Sequence, residues 1–256
     1  MSWRTAIVRE STEFRSDSRA SRGDSGSADT LTREQIEALR ALDSPTVANA
    51  IERFEIRPRC EGYAGYDLRC AFPRQGSMVG YAVTCTADST TEGRERPRGL
   101  LPLWEALEAA PKPAVLVIKD VGQDSRRSCH MGEVMATIAK ALGAVGCVSD
   151  GGLRDVLEVE ALGEFQYFCP GFVVSHGNPV ICDVGLPVTL SGLAVQPGDL
   201  LHGDVNGVVA VPSAVAARVA DEAMRVRDQE RVILDLARQP GFSVAKLRDA
   251  MARFTH

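Results

Sequence analysis

The sequence predicts a single α/β domain of layered α/β/α type, with flanking helices and a β-rich C-terminal half. Three observations carry this. Strand-like and helix-like segments alternate through the middle of the chain, the pattern of an α/β domain. "PAVLVIK" (113–119) is a near-continuous apolar run, as expected of a strand buried on both faces. The 256 residues, 45% hydrophobic and 25% charged, suit one sizeable soluble globular domain.

The elements follow in order. "RESTEFRSDSRASRGDSGSAD" (9–29) is rich in Ser, Arg, Asp and Gly with little to bury, so residues 1–30 are expected to be a disordered extension and 31–256 the folded domain. Thr32 with Gln35 makes a capping box for a helix carrying Ile36, Leu39 and Leu42. Ser44-Pro45 is expected to cap a second helix with Val47, Ala50, Ile51 and Phe54 at helical spacing. A strand at 77–87 leads to the polar loop "DSTTEGRERPRG" (88–99), a helix at 101–110 and the strand at 113–119. A helix over 131–142 places Val134, Ile138 and Leu142 on one stripe and stops at Gly143. A strand at 145–149 then runs into the turn Asp150-Gly-Gly and a short helix from about 153. A strand at 167–174, three strands within 185–212, and helices at 213–237 and 243–254 complete the chain.

Composition excludes several classes of function. A net charge of −5 argues against nucleic acid as the main partner. No apolar run is long enough to span a bilayer. The N-terminus lacks the apolar core of a secretory signal, and Glu10, Glu13, Asp17 and Asp24 disfavour a transit peptide. Seven scattered cysteines without a C-x-x-C suggest buried thiols in a reducing cytoplasm. His130, His176, His202 and His256 have no helical i,i+4 partner, so zinc is not indicated.

The chemistry concentrates in "MGEVMATIAKALGAVGCVSDGGLRD" (131–155). Gly132 opens a helix, so the first amides, of Glu133, Val134 and Met135, lack intrahelical acceptors and form a ready anion site. The next strand ends at Ser149, and its turn delivers Arg154 and Asp155 to the carboxyl end of the sheet, where open α/β sheets bind ligands. An Arg beside free amides, with carboxylates at Asp155, Glu133 and Glu158, suits a small oxo acid plus a divalent metal. On spacing alone the alternative stands, a surface ion pair or a cap. Arg126 and Arg127 either bind a distal carboxylate of the substrate or are solvated loop charges. Asp150 and Asp120 either orient the site or cap their turns. His130 and Cys129 adjoin the site, with a packed role favoured for both.

This segment resembles the signature of the RraA-like family, the class II (divalent-metal-dependent) pyruvate aldolases. The shared marks are Gly132 opening a helix, Arg154-Asp155 about twenty residues on, and Glu158 three beyond. The similarity runs from about residue 35 to 250 and includes "MVGYAVTCTA", "PVTLSGLAVQPGDLLHGDVNGVVAVP" and "RVRDQERVILDLA". It implies a swivelling-domain-like fold. It also implies Asp155 as the protein ligand of Mg²⁺ or Mn²⁺, and Arg154 on the 2-keto oxygen of the substrate. The amides of Val134 and Met135 would bind the substrate carboxylate. Glu133 takes the place of an acidic residue beside the metal's water, which would carry the reaction's protons. Glu230 matches a glutamate that enters from a neighbouring subunit, so the site would need a homo-oligomer, trimer or hexamer. The activity implied is cleavage of 4-hydroxy-4-methyl-2-oxoglutarate or 4-carboxy-4-hydroxy-2-oxoadipate to pyruvate, with oxaloacetate decarboxylation on the side. The alternative the resemblance implies is a non-enzymatic regulator that binds and inhibits RNase E.

Overall fold

The structure, a computed structural model, describes residues 30–93 and 99–252. The disorder expected of residues 1–29 lies outside the described residues, as does the centre of the charged 88–99 loop. Two helices open the domain, α1 (Arg33–Arg40) and α2 (Ser44–Glu52). The Thr32–Gln35 capping box forms, each side chain accepting the other residue's backbone N–H. The cap of α2 is Asp43 rather than Ser44, because the Asp43 carboxylate accepts from the Thr46 amide. The Ser44 hydroxyl instead lies 2.9 Å from His202 Nδ1.

The rest of the chain runs β1 (Arg69–Cys70), β2 (Met78–Asp88), α3 (Leu101–Ala109), β3 (Ala114–Asp120), β4 (Cys129–Met131), α4 (Glu133–Ala141), β5 (Ala144–Ser149), β6 (Gly152–Leu153), α5 (Val156–Ala161) and β7 (Gln166–Cys169). Then come β8 (Val180–Val184), β9 (Val188–Leu190), β10 (Leu193–Val195), β11 (Leu200–Asp204), β12 (Gly207–Val211), α6 (Ala216–Ala237) and α7 (Val244–Met251). Strands β2, β3, β5 and β7 are parallel neighbours, with β1 antiparallel on the β7 edge. On its other side the long β2 serves two antiparallel partners, β11 along Met78–Tyr81 and β8 along Cys85–Asp88. β12 pairs with β11.

Alternation along the strands gives the sheet two buried faces. On one, Val83, Cys85, Leu116, Ile118 and Cys147 pack against Leu103 and Leu107 of α3, Ala136 and Ala139 of α4 and Val159 of α5. Val79, Tyr81, Val209 and Val211 continue that packing under α1, α2 and α6. On the other, Met78, Ala82, Val115, Val117 and Val148 meet Val188, Leu190, Leu193 and Val195. The α/β domain with flanking helices is therefore present, and the layer opposite the helices is the β9–β10 ribbon. Among the described residues no helix is long and apolar enough to cross a membrane.

Three local expectations are corrected. The strand expected over 167–174 stops at Cys169, because Pro170 has no N–H for the ladder. The segment 185–212 holds four strands rather than three, because Ser191 (φ 46°) and Gly192 (φ 83°) adopt the left-handed conformations of a two-residue hairpin. Helix α4 begins at Glu133 and buries Ala136 and Ala139, not the Val134 stripe; Val134 is 69% exposed. Small residues let this helix lie close to the sheet.

Candidate active site

The site is assembled by a short parallel ribbon at the carboxyl ends of β3 and β5. Strand β4 pairs with β6, with Gly152 N–H donating to Ser128 O (2.9 Å) and Arg154 N–H to Met131 O (3.1 Å). Fully buried Leu153 anchors β6. This register lays Arg154 and Asp155 beside Gly132, the N-cap of α4.

Asp155 is a non-glycine residue in the left-handed region, φ 54° and ψ 45°. That conformation costs about 1–2 kcal/mol, and such strain is typically retained where a side chain must be aimed. Its Oδ2 accepts the Glu133 N–H at 3.1 Å and lies 3.7 Å from Arg154 Nε. Gly132 makes this approach possible, because a Cβ there would fall 2.5 Å from Asp155 Oδ2. Within α4 the first bond to the N-cap carbonyl is made by Ala136. The amides of Val134 and Met135 thus remain without an acceptor among the described residues, as expected of a helix start. Gly132, Met135 and Arg154 line a cavity of about 130 Å³, closed on another side by Pro179, Val180 and Ile181. That is below the usual volume of a drug-sized site, about 300–1,000 Å³, and suits a small acid.

Behind the ribbon lies a carboxylate network. The side chains of His130 and Asp120 are each 2% exposed, with Nε2 and Oδ2 2.6 Å apart. Burial pushes the Asp120 carboxyl up, but hydrogen bonds with His130 and Ser128 outweigh it and hold the group below its ordinary range. Asp150 accepts the Asp120 N–H at 2.6 Å and pairs with Lys119. It therefore ties the ends of β3 and β5 together. Burial pushes the Cys129 thiol up, which leaves it protonated and packed.

A profile of the RraA-like family (Aldolase/RraA) matches residues 44–210, well over half of the chain. The chain belongs to the RraA-like family. A protein of Halalkalibacterium halodurans named "Putative 4-hydroxy-4-methyl-2-oxoglutarate aldolase" is 31% identical over 133 residues, covering 50% of this chain and 61% of the relative. A protein of the same name from Pseudomonas syringae pv. tomato is 34% identical over 116 residues, 43% of this chain and 66% of the relative. The match thus spans about three-fifths of the length of these curated relatives. The crystal structure of Streptomyces coelicolor RraAS2, described as an unusual member of the RNase ES inhibitor RraA protein family, superposes with a TM-score of 0.61 at 24% identity. It covers 80% of this chain and 97% of that one, and establishes the RraA-like fold.

Within this RraA-like chain the residues singled out from sequence fall into two groups. Gly132, Glu133, Val134, Met135, Arg154 and Asp155 come together at the start of α4. Glu230 does not join them. It sits on α6, accepting from Asn49 Nδ2 at 3.2 Å, in a separate cleft with Arg53 and Arg59. Arg126 is paired with Asp124 and lines a different cavity together with Asp150. Arg127 is exposed beside it, and Glu158 is on the first turn of α5, facing solvent. Two features went unread in the sequence, the His130–Asp120 pair and the 179–181 wall. The first had a faint signal, a carboxylate ending β3 and a histidine in the middle of the next short strand.

Proposed function

We propose that this chain is a divalent-metal-dependent lyase that cleaves a 4-hydroxy-2-oxo acid, of the 4-hydroxy-4-methyl-2-oxoglutarate or 4-carboxy-4-hydroxy-2-oxoadipate type, to pyruvate. The names of its aldolase-like relatives support the reaction class. The observation that carries it is Asp155, held in a strained conformation with one carboxylate oxygen locked to the Glu133 amide against Gly132.

The residues present fit Mg²⁺ or Mn²⁺. Among the described residues no group of three His, Cys, Asp or Glu side chains could hold a metal. Asp155 offers one anchored carboxylate with its second oxygen free of that bond, and Glu133 adds an acid at the same helix start. Few protein ligands are what Mg²⁺ accepts, since it keeps most of its waters. When bound, the cation supplies positive charge as the keto oxygen becomes an enolate.

The chain's own groups do the rest. The Val134 and Met135 amides bind the C1 carboxylate at the positive end of α4. Arg154 donates to the C2 oxygen and stabilises charge that develops there. As the C3–C4 bond breaks, its electron pair forms the C2–C3 double bond of the pyruvate enolate. Oxaloacetate reaches the same enolate by losing carbon dioxide, so decarboxylation accompanies the aldol activity. Glu230, remote from Arg154 in its own chain, serves the site of a neighbouring copy in a trimer or hexamer. The test is pyruvate release from 4-hydroxy-4-methyl-2-oxoglutarate by chelator-stripped protein, with and without Mg²⁺. Release that requires Mg²⁺ supports the lyase. Absence of release above a metal-only blank rejects it and favours an RNase-binding regulator.

A further inference from the structure

The two substrate types of the proposed reaction differ at C4. That carbon bears a hydroxyl and a carboxylate in both, with a methyl group in 4-hydroxy-4-methyl-2-oxoglutarate and a carboxymethyl group in 4-carboxy-4-hydroxy-2-oxoadipate. We infer that Leu100, Val180 and Ile181 form a pocket for an apolar group on C4, so that the chain selects the methyl substrate over the carboxymethyl one, an inference that rests on the lyase reading.

The pocket is built at the carboxyl end of β2. Strand β8 pairs antiparallel there, with Val180 opposite Asp88 and Ile181 opposite Ala87. Leu100 immediately precedes α3, which packs beside β8. These residues and Pro179 close the cavity of about 130 Å³ that Gly132, Met135 and Arg154 also line. Val180 is buried and Ile181 packs against the main core, so this wall is held in place by the fold.

In the proposed pose the amides at the start of α4 hold the C1 carboxylate and Arg154 holds the C2 oxygen. C4 is two bonds beyond C2, and in so small a cavity one of its substituents meets the hydrocarbon wall. Among the described residues Arg154 is the only lysine or arginine that lines the cavity, and it is already committed. His130 is buried and paired with Asp120. His176 is exposed, with Nδ1 2.8 Å from Gly177 O; it belongs to the rim, where the C4 carboxylate stays in water. Arg126, a candidate for a distal carboxylate, lines a different cavity and pairs with Asp124. A methyl group against Leu100, Val180 and Ile181 leaves water and gains contacts. A carboxymethyl group in the same place gives up its hydration without finding a partner, which costs far more than a methyl group gains.

The test compares kcat/KM of the full chain with Mg²⁺ on three acids, with loss of substrate read by NMR. They are the methyl and carboxymethyl acids and 4-hydroxy-2-oxoglutarate, which has hydrogen in place of the methyl group. The methyl acid is expected to exceed the unsubstituted one by about 10-fold or more and the carboxymethyl acid by about 100-fold or more. Ile181→Ala should bring the methyl and unsubstituted acids to within about threefold of each other. Leu100→Ala, at an exposed position, should shrink the same ratio and decides the matter if Ile181→Ala does not fold. The pocket is overturned, with the lyase left intact, if either competing acid is cleaved within about threefold of the methyl acid. A methyl preference unchanged in the folded variant overturns it equally. If none of the three acids is consumed above Mg²⁺ alone, the lyase reading falls, and this inference with it.

Discussion

Replacing Gly132 by alanine isolates the contact on which the site depends. The backbone there is extended, φ −143° and ψ −169°, which any L-residue adopts without strain. The entire effect therefore comes from one added methyl group. It would sit 2.5 Å from Asp155 Oδ2 and 2.9 Å from Arg154 Nε, whereas ordinary contact begins at about 3.4 Å. The carboxylate must retreat by something near 1 Å and the guanidinium by about half as much, and a displacement of about 1 Å costs on the order of 10²-fold in rate. Stability should barely change. Losing the exposed Asp155–Glu133 bond (3.1 Å) costs about 1 kcal/mol, and the stiffer unfolded chain offsets about 0.4–1 kcal/mol of it. The assay is Mg²⁺-dependent decarboxylation of oxaloacetate alongside a thermal melt. A Gly132→Ala protein that melts like wild type and turns over within about threefold of it would refute the geometry.

Other perturbations probe separate parts of the account. Asp155→Asn should keep the left-handed backbone, which Asn tolerates, and melt within about 2 °C of wild type, while Mg²⁺-dependent turnover falls by about 100-fold or more; retained turnover would remove the charge at 155 from the mechanism. Glu230→Gln should lower turnover by roughly 10- to 100-fold with an unchanged melt, and sedimentation should give a trimer or hexamer; a fully active monomer would exclude a shared site. Burial raises the Asp43 carboxyl, but Arg227 and Thr46 outweigh it and bring it from 3.8 to about 2. The folded value is the lower one, so the stabilisation is full above pH of about 4 and is lost as pH falls through about 2. At this partly exposed site, screening leaves about 1 kcal/mol of it. Asp43→Ala should therefore destabilise more at pH 7 than at pH 2 in urea melts, and an equal effect at both would contradict the assignment.

What could be read in the sequence was local. The Thr32–Gln35 box and the apolar strand β3 depend on residues a few positions apart, and both formed. The convergence of Gly132 with Arg154 and Asp155 was legible because only α4, β5 and the turn into β6 separate the two helix starts. The buried face of α4 was misread because its contacts are made by Ala136 and Ala139, which a search for large apolar residues passes over. The cap of α2 went to Asp43 because Ser44 has a partner, His202, 158 residues away. Neither that pair nor His130–Asp120 has a periodicity to find, since each depends on which strand ends become neighbours in the sheet. The left-handed backbone of Asp155 is likewise imposed by the ribbon around it.

The most direct test of the central claim, that Asp155 and the start of α4 form one site for a cation and a small oxo acid, is a Mn²⁺ titration followed by electron paramagnetic resonance, with and without pyruvate. Binding that tightens when pyruvate is added and disappears in Asp155→Ala is the predicted result. Binding that is indifferent to pyruvate, or that survives in Asp155→Ala, would contradict the claim.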